Sequence, residues 1–512
     1  MLWPAAVKDR GIRMVCSFGI GGGFRSRVGA GWVGVALGGL LGGGSLAVAA
    51  PAAAAGPVPA ARATPNVPTV GIHDGAINGC DGGGNDGSGQ QPVYSAATSS
   101  FDSRYFGTKQ TGLRVGTVRF SPSWDVAYHN QAYASNPAAP GNKALEVEQR
   151  CLDAWLAGAQ KHGLQPEIAF KPDYNYLTPD RKHIAVPDIR TYRAAMDAFT
   201  ALYSNCTAYG GTATSCNLPP EPAGFPPNPG GMARVRIIAP WGEPDFNEKG
   251  LAGFSHLPQK FAMPKSGGSG TFGRANCNNS FTVDACGPVL AAQMWVAVSN
   301  SCKAACYLPK GTGRLHTVIG GDFSGGGGNR TDGGRQSYLV TYAKFLKNLT
   351  GPPKTYRPAV WGVHPYGDIF GIETYDAKVR NHLAARKPVL KYTATAKFAE
   401  NLRDLHYGTN TEIWLNEITV FYQKYMNGKV QHPTWTRAVQ ADAARYLLDT
   451  LGRIGRPGEV TTRGEPVVTR IYYLNYAAGS AAHPTNFTYQ ALVVNGKPVG
   501  AYHVFANRPR HS

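Results

Sequence analysis

The chain has 512 residues, of which 43% are apolar or aromatic, and a formal net charge of +19. An apolar content of this size is ordinary for a globular protein and excludes an intrinsically disordered chain. The lysines and arginines are scattered and form no dense run. The charge therefore favours adsorption to an anionic cell wall or acidic polysaccharide over binding of nucleic acid.

The N-terminal segment is typical of a secretory signal peptide. Arg25 and Arg27 precede an apolar, glycine-rich run, and Ala47-Val48-Ala49 fits a small-residue cleavage site. We predict a signal peptide over 1–49, with a single membrane anchor as the alternative. The alanine- and proline-rich linker that follows, 50–67, favours cleavage. The mature protein is then expected outside the cell or at the cell wall, without membrane contact.

The cysteines support export. Eight of the nine lie beyond the predicted signal peptide. An even set in an exported chain indicates disulfides, whereas the alternative of a zinc site lacks any Cys-x-x-Cys pair. Proximity along the chain suggests the pairs Cys206–Cys216, Cys277–Cys286 and Cys302–Cys306, which leaves Cys80 with Cys151.

Beyond the linker, short apolar runs alternate with amphipathic stretches. Eight runs resemble buried strands: Thr69–His73, Gly116–Phe120, Glu167–Phe170, Arg234–Ala239, Thr317–Gly321, Val360–His364, Glu412–Asn416 and Arg470–Asn475. Helical patterns lie between most of them: Ala144–His162, Asp188–Tyr203, Gly287–Ala304, Gln336–Leu349, Thr395–Leu405 and Arg437–Ile454.

This alternation predicts a parallel sheet with helical crossovers, and eight units are the number that closes a (β/α)₈ TIM barrel. A doubly wound open sheet is the alternative, but it would normally carry a phosphate-binding loop after its first strand. The segment Gly71-Ile72-His73-Asp74-Gly75 lacks that pattern. We therefore predict one α/β barrel domain over 68–512, with long loops ordered by disulfides.

Two segments match cofactor or metal motifs, but each lacks the surrounding elements or residues that the motif requires. The GxGxxG match at Gly268–Gly273 follows no predicted strand and opens no helix. The calcium-like segment Asp81–Gly87 has no glutamate at the twelfth position of the loop. There is neither a GxSxG nor an HExxH motif, so we expect no cofactor and no metal.

Two glutamates stand where a barrel places catalysis. Glu243 follows the fourth predicted strand and Glu417 follows the seventh. A charge at the end of a buried strand is costly unless it is paired or functional. Strands four and seven face one another across a barrel mouth, and glycoside hydrolysis needs two carboxyl groups flanking one bond, about 5–5.5 Å apart in retaining enzymes. The alternative is two ordinary solvated or salt-bridged loop glutamates.

These residues carry a resemblance to the clan A glycoside hydrolases, which are retaining (β/α)₈ enzymes. Trp241-Gly242-Glu243-Pro244 resembles their Asn-Glu-Pro acid/base motif, and Leu415-Asn416-Glu417 resembles their nucleophile motif. His364-Pro-Tyr366 is similar to their strand-six segment, and Arg119 to their strand-two arginine. The resemblance implies that Glu243 is the acid/base, that Glu417 is the nucleophile, and that Arg119 keeps Glu417 ionised.

The resemblance also implies the surroundings of the pair. His364 and Tyr366 would orient the nucleophile and the sugar, or else be core residues. Gly242 replaces the clan's asparagine, which holds the sugar 2-hydroxyl. Either another residue, such as Asn175 or Asn247, makes that contact, or the enzyme is weak or no longer turns over. Two lists of candidates remain. Sugar rings would stack on Trp124, Trp241 and Tyr476, which are otherwise core aromatics. Strand-end polar residues that could bind hydroxyls are His73, Asp125 and Asp322.

The sequence thus predicts a secreted, monomeric retaining glycoside hydrolase that acts on an extracellular polysaccharide or glycoconjugate. The alternative is a non-catalytic barrel that binds carbohydrate or cell wall, which the replacement of asparagine by Gly242 favours. Nucleic acid is not an expected partner.

Overall fold

The computed structural model describes part of the chain. The described residues are 68–73, 112–128, 140–171, 187, 189–217, 231–244, 287–310, 313–324, 338–349, 356–366, 368–369, 393–420, 424–426, 429–431, 437–456, 464–474, 477–478, 491–494 and 497–508. All of them belong to one compact unit, Pro59–Ser512. The predicted signal peptide 1–49 and linker 50–67 lie outside the described residues.

Eight parallel strands form the centre of the molecule. They are β1 (Thr69–His73), β2 (Thr117–Phe120), β3 (Gln165–Ala169), β4 (Ile237–Ala239), β5 (Gly320–Ser324), β6 (Val360–His364), β7 (Glu412–Ile418) and β8 (Val467–Leu474). Their order in the sheet is β4-β3-β2-β1-β8-β7-β6-β5, and every neighbouring pair is parallel.

The two edge strands of this sheet meet just before β5. Ile238 of β4 forms a parallel bridge with Val318. The Ile238 amide donates to Thr317 O over 3.2 Å, and the Ile319 amide donates to Ile238 O over 2.9 Å. The sheet is therefore an almost closed barrel, and the predicted (β/α)₈ fold is confirmed.

Helices connect the strands and cover the barrel. They are α1 (Pro140–Lys161), α2 (Ile189–Tyr203), α3 (Gly287–Cys302), α4 (Tyr338–Asn348), α5 (Ala394–Asp404), α6 (Arg437–Asp449) and α7 (Ala501–Ala506). In α2 the buried residues Tyr192, Met196, Phe199 and Tyr203 recur every three or four positions, which is the spacing of one helix face. Such faces and the outward side chains of the strands form the main hydrophobic core.

A second, smaller core fills the barrel interior. It contains Ala169, Ile237, Ala239, Leu315, Ile319, Val360, Trp414 and Tyr472. Glycine is needed beside Tyr472, because a Cβ on Gly71 would lie 2.6 Å from the Tyr472 ring. An antiparallel hairpin, Tyr307–Lys310 with Gly313–His316, precedes β5 and contributes Leu315 to this interior core.

The fifth strand differs from its prediction. The sequence suggested Thr317–Gly321, whereas β5 spans Gly320–Ser324. Gly321 and Asp322 have φ angles of 81° and 97°, and the pairing of β5 with β6 shifts register beside them. The irregular backbone moves the strand three residues onward, so Asp322 lies within it.

Two predicted disulfides are confirmed, Cys206–Cys216 and Cys302–Cys306. Cys151 is also disulfide-bonded; Cys80, Cys277 and Cys286 lie outside the described residues. In the part of the chain that the structure describes, no helix combines the length and apolar character needed to cross a membrane.

Candidate active site

Five strand ends bring charged side chains to one mouth of the barrel. Arg119 lies on β2, Asp322 on β5, His364 on β6 and Glu417 on β7. Glu243 follows closely after β4. Parallel strands all point the same way, so these residues meet at the carboxyl-terminal face, where barrel enzymes hold their active sites.

Glu417 is surrounded by hydrogen-bond donors. Its Oε2 accepts from Arg119 Nη1 at 2.8 Å, and its Oε1 accepts from the Tyr366 hydroxyl at 2.6 Å. His73 Nδ1 lies 3.1 Å from the same Oε2. Burial would raise the pKa of Glu417, but the charges of His364, His73 and Arg119 outweigh it and hold that pKa well below its ordinary value. Glu417 is therefore a carboxylate at neutral pH.

His73 stands between two groups that compete for one nitrogen. Its Nδ1 is 2.7 Å from Arg119 Nη1 and also faces Glu417. Because a guanidinium can only donate, Nδ1 either accepts from Arg119 or donates to Glu417. Whether Nδ1 of His73 carries a proton therefore decides whether it hydrogen-bonds to Glu417 or to Arg119.

Glu243 is fixed through both its backbone and its side chain. Its φ angle of 50° is unusual for a residue other than glycine. The amide of Glu243 donates to Asp322 O and that of Gly242 to Phe170 O, each over 2.8 Å. The side chain is 13% exposed, and its Oε1 lies 2.7 Å from His364 Nδ1. Such backbone strain is typical of functional sites, where the surroundings hold a side chain in one direction.

Asp322 lies at the centre of the site and is fully buried. Its Oδ1 accepts from His364 Nε2 and from Asn416 Nδ2, both at 2.9 Å, and its Oδ2 accepts from Arg119 Nη2 at 2.8 Å. Burial would raise the pKa of Asp322, but the charges of His364 and Arg119 lower it below its ordinary value. Asp322 is therefore an anion shared by two cations.

His364 is cationic for the complementary reason. Burial would lower its pKa, but the charge of Asp322 and the hydrogen bonds to Asp322 and Glu243 raise that pKa well above its ordinary value. A protonated imidazole carries a proton on each nitrogen. His364 therefore donates to Asp322 through Nε2 and to Glu243 through Nδ1.

Arg119 faces a third carboxyl group below the mouth. Its Nε lies 3.3 Å from Glu167 Oε1, and both side chains are buried. Burial raises the pKa of Glu167 to about 7 despite the attraction of Arg119. Arg119 already pairs with Asp322 and Glu417, so its charge does not compensate all three carboxylates.

Two of the three predicted stacking aromatics are buried. Trp124 and Trp241 are 0% and 1% exposed, and their rings lie 6.1 and 6.4 Å from that of Tyr192. A fully buried indole cannot offer a face to a sugar ring, so the structure places both in the core. Asn175, Asn247 and Tyr476 lie outside the described residues.

The glycine in place of the clan's asparagine has space beside it. A Cβ on Gly242 would lie 3.6 Å from Phe170 O, 3.7 Å from Asp322 Oδ2 and 4.0 Å from Arg119 Nη2. These are ordinary contact distances. The missing side chain would start beside the Arg119–Asp322 ion pair.

Sequence reasoning underrated Asp322 and His73, which it treated only as possible ligands of sugar hydroxyls. The available signal was their position at strand ends, which Arg119 and His364 share. What the pattern did not show is that Asp322 is buried and bonded to both of those cations. Among the described residues, no group of three His, Cys, Asp or Glu side chains is arranged to hold a metal ion.

Comparison with known proteins gives similarity of fold only. No protein-family profile and no curated sequence matches the chain. The GH5_18 protein from Streptomyces cattleya, solved with GlcNAc, is 13% identical with a TM-score of 0.45, and the match covers 88% of this chain and 83% of that one. A family 39 glycoside hydrolase from Bacteroides cellulosilyticus WH2 is 12% identical with a TM-score of 0.41, over 86% and 63% of the two chains.

A psychrophilic family 10 endo-β-1,4-xylanase is 10% identical with a TM-score of 0.40, over 86% of this chain and 97% of that one. The chain spans less than two thirds of the family 39 protein. Similarity at this level does not extend to activity or substrate, which must be argued from the site.

Proposed function

We propose that the protein is a secreted retaining glycoside hydrolase in which Glu417 is the nucleophile and Glu243 the acid/base. The observation that carries the proposal is that the two carboxyl groups have different hydrogen-bond partners. Glu417 is held ionised by Arg119, His73 and the Tyr366 hydroxyl. Glu243, at the same mouth, lies with its Oε1 2.7 Å from His364 Nδ1. A double displacement needs two carboxyl groups with different roles.

In the first step, Glu417 attacks the anomeric carbon while the glycosidic C–O bond breaks. The leaving oxygen takes the proton of Glu243, and a glycosyl ester forms on Glu417. In the second step, the Glu243 carboxylate takes a proton from water. The water oxygen then bonds to the anomeric carbon, and the ester bond to Glu417 breaks. Both carboxyl groups return to their starting states, and the anomeric configuration is retained.

The substrate proposed from the predicted export is an extracellular polysaccharide or glycoconjugate. The predicted signal peptide carries five basic residues and one acidic residue, so the mature enzyme would keep +15 of the net charge of +19. This excess would concentrate the enzyme at an anionic wall or acidic polymer. We propose that the enzyme is a monomer and requires no cofactor.

The test is turnover of a panel of aryl glycosides and polysaccharides, with the first-formed anomer identified by ¹H NMR. Glu417→Ala should abolish hydrolysis, because the covalent intermediate cannot form. Glu243→Ala should still cleave substrates with activated leaving groups, and azide should restore its second step. Glu400→Ala, an exposed glutamate on α5, is the matched control and should behave as wild type. An inverted product, or full activity in Glu417→Ala, would disprove the assignment.

A non-catalytic carbohydrate-binding barrel is the second candidate. Gly242 favours it, because the amide that holds the sugar 2-hydroxyl in the clan is missing, and that contact stabilises the transition state by several kcal/mol. A wild-type protein that binds a polysaccharide but releases no sugar from any substrate in the panel would establish this function.

A further inference from the structure

The two proposed catalytic carboxyl groups are joined by a continuous chain of hydrogen bonds through charged side chains. Glu417 bonds to Arg119 and Arg119 bonds to Asp322, each at 2.8 Å. Asp322 bonds to His364 at 2.9 Å, and His364 contacts Glu243 at 2.7 Å. Asp322 is the middle residue of this chain. Its Oδ2 binds Arg119, the partner of Glu417, and its Oδ1 binds His364, the partner of Glu243.

The backbone around Asp322 is built to keep it there. Its own carbonyl accepts the amide of Glu243 over 2.8 Å, so one residue holds both the chain and the side-chain partner of that glutamate. Asp322 has a φ angle of 97°, which is costly for a residue with a side chain. On the neighbouring strand, a Cβ on Gly362 would come within 2.8 Å of Asp322 Oδ1 and of Asn416 Nδ2. Glycine at 362 is what lets this carboxylate lie in the barrel.

We propose that Asp322 is the positioning residue that sets Glu243 and Glu417 relative to one another, through His364 on one side and Arg119 on the other. The inference rests on the proposed function for the roles of the two glutamates. Asp322 is fully buried, so it acts without touching substrate. This corrects the expectation that it binds a sugar hydroxyl.

The position of Asp322 also bears on Gly242. The Cβ that Gly242 lacks would lie 3.7 Å from Asp322 Oδ2, so the aspartate borders the space that the clan's asparagine would enter. Asp322 positions side chains of the mouth beside this space. It does not replace the contact that the clan's asparagine makes with the sugar.

An asparagine at position 322 would have the same shape as the aspartate, but it would lack the negative charge that the positioning role requires. Arg119 and His364 are both cationic and bind the two oxygens of one carboxylate. Without the negative charge, two buried cations would face each other, and the histidine would release its proton. The titratable groups around His364 include Asp322, Glu243 and Glu417, whose charges or hydrogen bonds act on it, and Tyr366, whose ring packs edge-on against it. Neutral His364 has one donor and cannot hold Asp322 and Glu243 together.

The experiment compares Asp322→Asn with wild type. Asparagine keeps the shape of the side chain and tolerates a positive φ angle better than most residues. We expect kcat to fall about a hundredfold, as for a catalytic group displaced by about an ångström. KM should stay nearly unchanged, because Asp322 does not contact substrate.

The matched control is Asp368→Asn, because Asp368 also accepts three hydrogen bonds. They come from the amides of Ala394 and Thr395 and from the Thr395 hydroxyl, at the start of α5. This variant should lose stability but keep the kcat of wild type.

A second readout does not depend on turnover. NMR of labelled histidine identifies His364 as the resonance that is absent from His364→Asn. In wild type it should be protonated at pH 7.5, and in Asp322→Asn it should be neutral there. A neutral His364 in wild type, or the same His364 titration and full kcat in Asp322→Asn, would overturn the positioning role. If His364 behaves as expected but wild type hydrolyses nothing, the hydrolase proposal fails while the link from Asp322 to His364 stands.

Discussion

The replacement Glu167→Gln should stabilise the protein at high pH and have little effect at low pH. Glu167 is buried beneath the mouth, and its ion-pair partner Arg119 is shared with two other carboxylates. The charges of Arg119 and Arg470 both lower the pKa of Glu167, but burial outweighs them. Burial raises the pKa of Glu167 from 4.5 to about 7. Ionising it in the folded protein therefore costs more than ionising it in the unfolded chain.

The sign and size follow from linkage between proton binding and folding. A group whose pKa is raised by folding contributes stability that is present below its unfolded pKa and is lost as pH rises through its folded pKa. One pKa unit corresponds to about 1.4 kcal/mol, so a rise from 4.5 to about 7 predicts a loss of about 3 kcal/mol between pH 4.5 and pH 8. Glutamine has no proton to lose and avoids this loss.

The assay is urea unfolding at half-unit steps from pH 5 to pH 8, for wild type, Glu167→Gln and a matched control. The control is Glu412→Gln, at a partly buried glutamate that begins β7. Burial would raise the pKa of Glu412, but Lys310 and two hydrogen bonds lower it below the ordinary value. Glu412 is thus ionised throughout this window in both states, and its variant should be destabilised by a nearly constant amount. Parallel curves for Glu167→Gln and wild type would refute the reasoning.

Three further predictions concern the site and its scaffold. Tyr366→Phe removes a hydrogen bond to a carboxylate, worth about 1.5–3 kcal/mol, so kcat/KM should fall about 10- to 100-fold. The acid limb of the pH–rate profile should move to higher pH, because the pKa of Glu417 rises when its charged form loses a hydrogen-bond donor. Gly242→Asn has room for its Cβ and should raise kcat about tenfold if the 2-hydroxyl contact is restored; a lower kcat would show that the amide does not fit. The double replacement of Cys206 and Cys216 by serine opens a loop with a sequence separation of 10. It should lower the free energy of unfolding by about 3 kcal/mol in a denaturant titration without changing turnover.

The barrel could be predicted from the sequence because its signals are local and repeated. Buried strands and amphipathic helices each have their own periodicity, and eight alternations leave few architectures. The two confirmed disulfides could be predicted for a similar reason, since their cysteines are close in the chain. The fifth strand was misplaced because Gly320-Gly321-Asp322 reads as the end of a strand, whereas the positive φ angles of Gly321 and Asp322 let the strand continue.

Position at the strand ends was predictable, but side-chain direction was not. Glu243, His364 and Arg119 were chosen from strand ends and do meet at one mouth. Trp124 and Trp241 were predicted as stacking platforms or core aromatics, and both lie in the core beside Tyr192. Burial stabilises a bulky apolar ring, so an aromatic residue near a strand end need not line the mouth.

The charged network is costly to the fold, and its cost bears on the function. Replacing a buried ion pair by apolar residues of similar size is often neutral or stabilising. We expect Glu167 to destabilise the protein above neutral pH, because folding raises its pKa. Stability therefore gives no reason for three carboxylates around Arg119. The network does account for an ionised Glu417 at the mouth of a barrel, which is the state that the proposed two-carboxylate catalysis requires of its nucleophile.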